Sequence, residues 1–345
     1  MGPWRALRPR LAPSAWALPT ALRCSTLAAH VDRPAPNKYV QLESLANDGA
    51  SPDAMFEFMS EQLITSRLEL YVHAGGEDAA YGVSEAGLAR LARAVERLPL
   101  QELVLYGAVG GEGAAAVAAA VRHHPHLRRL CIFNAQVGPQ GAAALADALS
   151  ANCELSHLEL SYCGLLVDGL LPLAEALRSN TKLEALDLRA SELCRTPLTH
   201  ASDEKHHVSY DGIASLVEAL SVNKGLQNLN LSQNEIGCAG AKLLEQCLTR
   251  NDALQVLTLR LNSIDTEGAV ALAERLVDNT SLTRLDLRDN KELSPSLLNV
   301  LQEVFKRRKE LGRPPLAVLH DTNIPRRSKK IRNKTKGDRA LPDEG

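Results

Sequence analysis

The sequence predicts an α/β solenoid in which a short strand and a helix alternate within a repeated unit of about 28 residues. Three observations lead to this prediction: a recurring leucine pattern, small and polar residues that keep the same phase, and an Ala/Leu-rich stretch at helical spacing in each unit. The chain has 345 residues, of which 45% are hydrophobic and only 3% aromatic, so the core is expected to be aliphatic.

The strand of each unit is marked by the pattern LxxLxL, whose first residues are spaced 27, 28, 28, 43, 28 and 28 residues apart. Alternating apolar positions of this kind predict a strand with one buried face. The spacing of 43 is a repeat that carries an insertion, which we place at residues 194–210. The seven first residues are Leu100, Leu127, Leu155, Leu183, Leu226, Leu254 and Leu282.

The rest of each unit predicts a helix and a tight return to the next strand. A glycine occupies repeat position fifteen, where we expect either close approach of the backbone or an unusual dihedral angle, and a helix-like stretch such as 142–149 follows it. An asparagine precedes the next strand by three residues, which suits a tight turn. These residues are Gly141, Gly169, Gly240 and Gly268, and Asn152, Asn180, Asn223, Asn251 and Asn279.

Position nine of the unit is Asn234, Asn262 and Asn290 in the last three repeats, which completes the pattern LxxLxLxxN. This 28-residue unit resembles the ribonuclease-inhibitor-type leucine-rich repeat, as in ribonuclease inhibitor, the repeat regions of NOD-like receptors and Ran GTPase-activating protein. The resemblance covers residues 100–305 and a divergent first repeat at 63–99. It implies a horseshoe with an inner parallel sheet, outer helices and about seven to eight repeats, but it does not specify a function.

Earlier repeats depart from the pattern, since position nine holds Ala108, Ala135, Cys163 and Ser191. We therefore expect the C-terminal half to be regular and the N-terminal half to be looser. Cys163 is expected to be buried and chemically inert.

The ends of the chain differ from its middle in charge. Residues 1–31 contain four arginines and no acidic residue, a composition typical of a mitochondrial transit peptide; a plastid, cytoplasmic or nuclear location is the alternative. We expect a linker and a capping helix over 32–62, the solenoid over 63–312 and a basic, largely disordered tail over 313–345, in which residues 315–319 are a candidate for a final edge strand. Residues 306–336 hold twelve Lys or Arg against Glu310 and Asp321.

The most basic part of the tail has no aromatic residue, so it is expected to contact an anionic surface, including RNA, through charge alone. A tail that serves only solubility is the alternative. Its basic residues are Arg326, Arg327, Lys329, Lys330, Arg332, Lys334 and Lys336.

Strand positions three, five and seven are expected to project onto the concave surface, where aromatic and arginine side chains favour binding of a protein partner. The alternative is that the arginines pair with neighbouring carboxylates in a solvated lattice. The candidate partner-binding residues are Tyr71, Tyr106, Phe133, Glu159, Asp187, Arg189, Arg260, Asp286 and Arg288.

Catalytic and metal-binding motifs are absent from the sequence: it contains no GxSxG, no HExxH and no CxxC. The histidines of residues 123–126 fall in a turn, with His124 at the phase of the recurrent asparagine, so we expect no metal there. The His-rich insertion at 194–210 is interpreted as a polar recognition loop. No cofactor is predicted, and no apolar run is long enough to span a membrane.

The sequence therefore predicts a noncatalytic interaction scaffold. The first alternative is an RNA- or ribosome-associated organellar factor that uses the basic tail. The second is a GTPase-activating protein of the Ran-activator type, which is supported by the resemblance alone.

Overall fold

The computed structural model describes residues 48–62, 66–73, 83–151, 154–196, 208–291 and 293–321. Over these ranges, nine helices alternate with ten strands, and all ten strands form one parallel sheet. The predicted α/β solenoid is confirmed. The predicted transit peptide and the seven basic residues at 326–336 lie outside the described residues.

The strands are β1 (Arg67–His73), β2 (Val83–Ser84), β3 (Glu102–Gly107), β4 (Arg129–Phe133), β5 (His157–Ser161), β6 (Ala185–Asp187), β7 (Asn228–Asn230), β8 (Val256–Thr258), β9 (Arg284–Asp286) and β10 (Ala317–Leu319). The helices are α1 (Pro52–Gln62), α2 (Glu85–Val95), α3 (Gly111–His123), α4 (Gly138–Ser150), α5 (Leu166–Ser179), α6 (Asp211–Val222), α7 (Gly237–Leu248), α8 (Thr266–Arg275) and α9 (Ser296–Glu310).

The order of strands in the sheet is β2-β1-β3-β4-β5-β6-β7-β8-β9-β10. Equivalent repeat positions pair with each other, as Leu103 of β3 with Leu130 of β4 and Leu130 with Leu158 of β5. Each repeat position therefore forms a column of side chains across the sheet. This register is what brings residues about 28 apart in sequence into contact.

Leucines at positions one, four and six face the helices and are buried, as Leu226, Leu229 and Leu231 illustrate. Positions three, five and seven point to the opposite face of the sheet because side chains alternate along a strand. Strands lie about 4.8 Å apart whereas a helix is about 10 Å wide, so the strand layer takes the inner side of the curve. We call this inner surface the concave face.

The glycines at position fifteen allow the helices of neighbouring repeats to pack closely. A Cβ atom on Gly141 would lie only 2.7 Å from the Cβ of Ala114 and 2.7 Å from Cγ1 of Val137. Gly141 does not have a positive φ angle, so of the two expected reasons for glycine here, the structure shows close approach.

The predicted C-terminal boundary of the solenoid at residue 312 lies before the candidate edge strand at 315–319, and the structure contains a strand there, β10. Strand β10 pairs with β9 through Val318 and Leu285, so the sheet continues past this boundary to Leu319. The structure thus assigns residues 313–319 to the solenoid and not to the tail.

The insertion begins as an ordered extension of the repeat. An isolated antiparallel bridge joins Arg195 to Val208, and Arg195 also pairs with the carboxylate of Glu235. Residues 197–207, which contain its histidines, lie outside the described part of the chain. None of the helices that the structure describes is long and apolar enough to cross a membrane.

Candidate protein-binding face

A column of buried asparagines fixes the turn from each helix to the next strand. In Asn180 the amide nitrogen donates to the carbonyl oxygen of Leu149 at 2.8 Å, and the amide oxygen accepts from the backbone N–H of Leu183 at 2.8 Å. Each side chain thus ties the end of the helix in the previous repeat to the start of the strand that follows it, which sets the position of the strands that form the concave face. Asn223, Asn251 and Asn279 make the same two contacts.

His124 takes the place of the asparagine in an earlier repeat, as its phase in the sequence predicts. Its Nε2 lies 3.2 Å from the carbonyl oxygen of Val95, and its Nδ1 accepts from the N–H of Leu127 at 2.9 Å. Both contacts are satisfied by one neutral tautomer, in which Nε2 carries the proton. Burial lowers the pKa of His124 below its ordinary value of 6.5.

His124→Asn is expected to reduce the loss of stability in acid. Because the folded-state pKa of His124 is lowered, the unfolded chain binds the proton first, and the wild-type protein loses stability as the pH falls below about 6.5. The asparagine preserves one donor and one acceptor but does not titrate. The check is urea denaturation of both proteins at pH 7.5 and pH 5.5. His157 and His320, whose pKa values are also lowered by burial, remain in the variant, so the variant still loses some stability in acid. An equal loss of stability between pH 7.5 and pH 5.5 in both proteins would contradict the prediction.

A second column, at position nine, lies at the other end of the strands. Asn262 donates to the carbonyl oxygens of Leu231 at 2.8 Å and Arg260 at 3.2 Å, and it accepts from the N–H groups of Asn234 at 2.8 Å and Ile236 at 3.4 Å. It therefore connects neighbouring repeats directly.

This column weakens toward the N-terminus. Ser191 donates one short hydrogen bond, of 2.6 Å, to the carbonyl oxygen of Leu160, and its hydroxyl accepts from the N–H of Cys163 at 3.4 Å. Cys163 contributes only a thiol, 3.3 Å from the carbonyl oxygen of Ile132. Burial raises the pKa of this thiol to about 12, so it stays protonated and inert at neutral pH, as expected.

Three aromatic rings form a stack at the N-terminal end of the concave face. The centroids of Tyr71 and Tyr106 are 5.1 Å apart and those of Tyr106 and Phe133 are 5.2 Å apart, with interplanar angles of 20° in both pairs. Parallel pairing of β1, β3 and β4 holds the rings at strand spacing. The side chain of Tyr71 is 60% exposed, which is unusual for an aromatic residue.

The aromatic stack lies beside a network of opposite charges. Arg67 contacts the carboxylate of Glu69 at 3.4 Å and that of Glu102 at 3.3 Å. Burial and the charge of Glu69 raise the pKa of Tyr106 well above its ordinary value of 10, so its hydroxyl remains a hydrogen-bond donor throughout the physiological range. The stack thus places an apolar ring surface next to the charged groups of Arg67, Glu69 and Glu102.

The C-terminal half of the concave face carries paired charges. Arg189 contacts Asp187 at 3.3 Å and Glu159 at 3.7 Å. Arg288 forms two hydrogen bonds to Asp286, of 2.9 and 2.5 Å, and these raise its pKa. Here the alternative of a charge lattice describes the arginines correctly.

Arg260, the remaining predicted arginine, pairs with the carboxylate of Asp289 in the next repeat. Sequence reasoning did not identify this partner because Asp289 is at position eight, outside the positions that were assigned to the concave face. All three predicted arginines are thus neutralised by neighbours, and the predicted residues divide into an aromatic end and an ion-paired end.

Two exposed apolar residues at position eight were also missed. Tyr162 and Leu261 are about half exposed and have φ angles of 59° and 54°, in the left-handed region. Their backbone turns as the strand ends, which places the side chains at the edge of the concave face. The hydroxyl of Tyr162 lies 3.3 Å from Oε1 of Gln233. Both residues stand at position eight of the repeat, directly after the position-seven residue, and this position is the sequence signal that could have identified them.

The described residues contain no cluster of three or more His, Cys, Asp or Glu side chains that could hold a metal ion. His124 is engaged with backbone groups on both ring nitrogens. On the concave face, the predicted residues form an aromatic stack at one end and ion pairs at the other.

In a comparison with known proteins, a family model described as "Leucine Rich repeat" matches residues 251–273 and 278–296 of this chain. No curated protein matches the chain. Solved structures that are similar to the chain include leiomodin-1 actin-binding site 2, with 18% identity, a TM-score of 0.33 and coverage of 46% of this chain and 80% of that chain.

Two further structures are a protein from Bacteroides fragilis and the complex of Rad7 and Elc1 from yeast. The first is 13% identical with a TM-score of 0.37 and covers 65% of this chain and 66% of its own. The second is 17% identical with a TM-score of 0.30 and covers 77% and 80%.

Proposed function

We propose that this leucine-rich-repeat protein is a noncatalytic scaffold that binds a protein partner on its concave face. The observation that supports the proposal is the stack of Tyr71, Tyr106 and Phe133, which presents aromatic surface on a rigid sheet. Aromatic residues contribute strongly to interface energies, and solenoids use their inner surface for binding. The 28-residue unit with a full helix supports assignment to the ribonuclease-inhibitor type of repeat.

The paired arginines favour a protein partner over a phosphate-rich one. Arg189 and Arg288 already hold carboxylates at hydrogen-bond distance, so a phosphate would have to displace these acidic groups. Carboxylates hold all three arginines that the sequence predicted at position seven, Arg189, Arg260 and Arg288, so their pairing gives no support to the GTPase-activator alternative.

Tyr106→Ala and Phe133→Ala are each expected to weaken partner binding at least tenfold. Tyr106 is the central ring of the stack and Phe133 is the ring at one end, so each substitution removes aromatic contact surface. The measurement is quantitative pull-down with the full chain, which compares proteins retained by the wild type and by each variant. Leu171→Ala, on the outer surface of α5, is the matched control and should retain the partner. If no retained protein depends on Tyr106 or Phe133, the concave proposal fails.

The basic tail gives the second candidate, contact with RNA or the ribosome, through residues 326–336. The test is RNA binding across a salt series with the full chain and with a variant that lacks residues 322–345. This cut leaves β10 in place, whereas a cut at 313 would remove it. A salt-steep signal that disappears with the tail would support this candidate.

A mitochondrial location is likewise our proposal, and it rests on the composition of residues 1–31. Import into isolated mitochondria with protease protection, compared with a variant that lacks these residues, tests it. Equal protection of both forms would contradict the proposal.

A further inference from the structure

The loops that join each strand to the following helix contain more acidic than basic residues. We call these loops, at repeat positions eight to fourteen from β5 onward, together with Asp321 after β10, the loop edge. The described part of the loop edge contains eight carboxylates and two cations, Arg195 and Lys291. The carboxylates are Asp168, Glu192, Asp211, Glu235, Asp265, Glu267, Asp289 and Asp321.

Ion pairs within the described structure neutralise only part of this charge. Arg195 pairs with the carboxylate of Glu235 and lies 3.9 Å from that of Glu192, so two carboxylates share one guanidinium. Two cations from other repeat positions also contact the loop edge, Arg260 at Asp289 and Lys242 at Glu267. Four cations therefore face eight carboxylates, and the loop edge keeps a net negative charge.

The helix dipole explains only some of these acidic residues. Asp168, Asp211 and Glu267 lie in the first turns of their helices, where a negative charge is favourable. Glu192 and Glu235 lie in the loops themselves and have φ angles of 60° and 59°. This left-handed conformation favours glycine or asparagine, so the backbone does not account for glutamate at either position.

Exposed apolar side chains lie on the same edge. Tyr162, Val208 and Leu261 are 48%, 58% and 49% exposed, and they are three of the eight large apolar residues that are exposed in the described part of the chain. The loop edge is therefore both acidic and apolar, and a segment that is basic and apolar would complement it.

The described chain ends on this edge. The carboxylate of Asp321 accepts a hydrogen bond of 2.6 Å from the backbone N–H of Asp289, so residue 322 continues from the loop edge itself. Residues 322–336, which lie outside the described residues, contain seven basic residues, no acidic residue, and the apolar Ile324 and Ile331.

The spacing of these residues matches the spacing of the loops. An extended chain advances about 3.3 Å per residue, and neighbouring strands lie about 4.8 Å apart. Ile324 can therefore reach about 10 Å from Asp321, which is the distance from β10 to β8, the strand before Leu261.

The first two arginines of the tail continue this match. Arg326 and Arg327 can reach about 17–20 Å from the end of β10, by the same rise per residue. Three and four strand spacings, about 14–19 Å, separate β10 from β7 and β6, which precede Glu235 and Glu192. The basic pair thus falls beside the two glutamates that share one arginine.

We propose that residues 322–336 fold back along the loop edge of their own chain. In this arrangement Ile324 contacts Leu261, the basic side chains pair with the loop-edge carboxylates, and the segment covers the exposed rings and methyl groups beside the concave face. The proposal does not depend on partner binding by the concave face.

The covalent connection favours this occupant over others of the same charge. The tail of a second copy has the same sequence, but an attached segment acts at an effective concentration in the millimolar range. Residues 1–31 are also basic, but they precede α1 at the opposite end of the sheet. RNA would compete for the same cations of the tail, and the experiment distinguishes this case.

The experiment is zero-length carbodiimide cross-linking of the full chain, which joins a lysine amine to a carboxylate that it contacts, followed by mass spectrometry. We expect the monomer to contain links from Lys329, Lys330 and Lys334 to loop-edge carboxylates at low salt, and at least tenfold fewer at high salt. Asp147 and Glu274, exposed on the helices α4 and α8, are the internal controls and should form at least fivefold fewer links.

A charge exchange tests the pairing specifically. Replacing both Arg326 and Arg327 by glutamate should reduce the links to Asp211 and Asp265 at least fivefold, whereas replacing both by lysine should leave them unchanged. Adding Glu192→Lys and Glu235→Lys to the glutamate variant should restore at least half of the links. Should these loop substitutions prevent folding, the two tail variants decide the question, because they leave every described residue unchanged.

Three results would overturn the proposal. Links that join only a labelled copy to an unlabelled copy would assign the loop edge to the tail of a second molecule. Links to Asp147 and Glu274 as frequent as those to the loop edge would show a tail without a specific site. Absence of loop-edge links in a full chain that binds RNA would assign the tail to RNA.

Discussion

Asn262→Ala is expected to destabilise the C-terminal half of the solenoid by about 3–4 kcal/mol, because it removes two donated and two accepted hydrogen bonds at a fully buried site and leaves backbone groups of two repeats unsatisfied. The measurement is guanidinium denaturation followed by circular dichroism. Hydrogen exchange should show the loss concentrated in the repeats on either side.

Cys163→Ala is the matched control, since it alters the same column at a repeat where the side chain contributes only a thiol. Its expected cost is about 1 kcal/mol, the value of a small buried group with a weak hydrogen bond. Equal effects of the two substitutions would show that position nine stabilises the fold by filling space and not by hydrogen bonding.

Arg308→Ala is expected to destabilise the C-terminal end by about 2–3 kcal/mol, because its guanidinium donates to three carbonyl oxygens that would lose a charged partner. Nη1 contacts the carbonyls of Leu276 and Asn279, the latter at 2.6 Å, and Nη2 contacts that of Pro314 at 2.8 Å. Arg308 is 3% exposed and ends the column of turn asparagines with a longer side chain.

Arg307→Ala provides the control for this substitution. Its side chain is 61% exposed and only contacts Glu303 within the same helix, at 3.7 Å, so its removal should change the free energy of unfolding by less than about 0.5 kcal/mol. Thermal melting of both variants is the measurement. A similar loss from Arg307 and Arg308 would argue against the carbonyl contacts of Arg308 as the cause.

The sequence predicts the repeat architecture because the same few positions recur in every unit. Leucine spacing determines which residues are strand and which face is buried, and position fifteen requires glycine because Gly141 touches Ala114 of the previous repeat. Even the role of His124 follows from its phase. These features depend on contacts between equivalent positions, which a periodic sequence makes visible.

The parts that the sequence did not predict lie where the periodicity ends. The sequence offers residues 315–319 only as a candidate edge strand beyond the boundary at 312, because no further repeat follows this short run for comparison. The partner of Arg260 is at position eight, where the chain turns with a positive φ angle and its direction does not follow from strand alternation. Which side chains pair on the concave face depends on how far each one extends toward the next repeat, and composition alone does not predict this.

The gradient at position nine, from asparagine through serine and cysteine to alanine, has a consequence for the order in which the chain folds. Cross-repeat hydrogen bonds are densest around Asn234, Asn262 and Asn290, so the folding nucleus is expected in the repeats that the ribosome synthesises last. The N-terminal repeats, which are synthesised first, would then become stable only when they can pack against folded C-terminal repeats. The newly made protein should consequently stay open until translation is nearly complete and then fold from its C-terminal half toward its N-terminus.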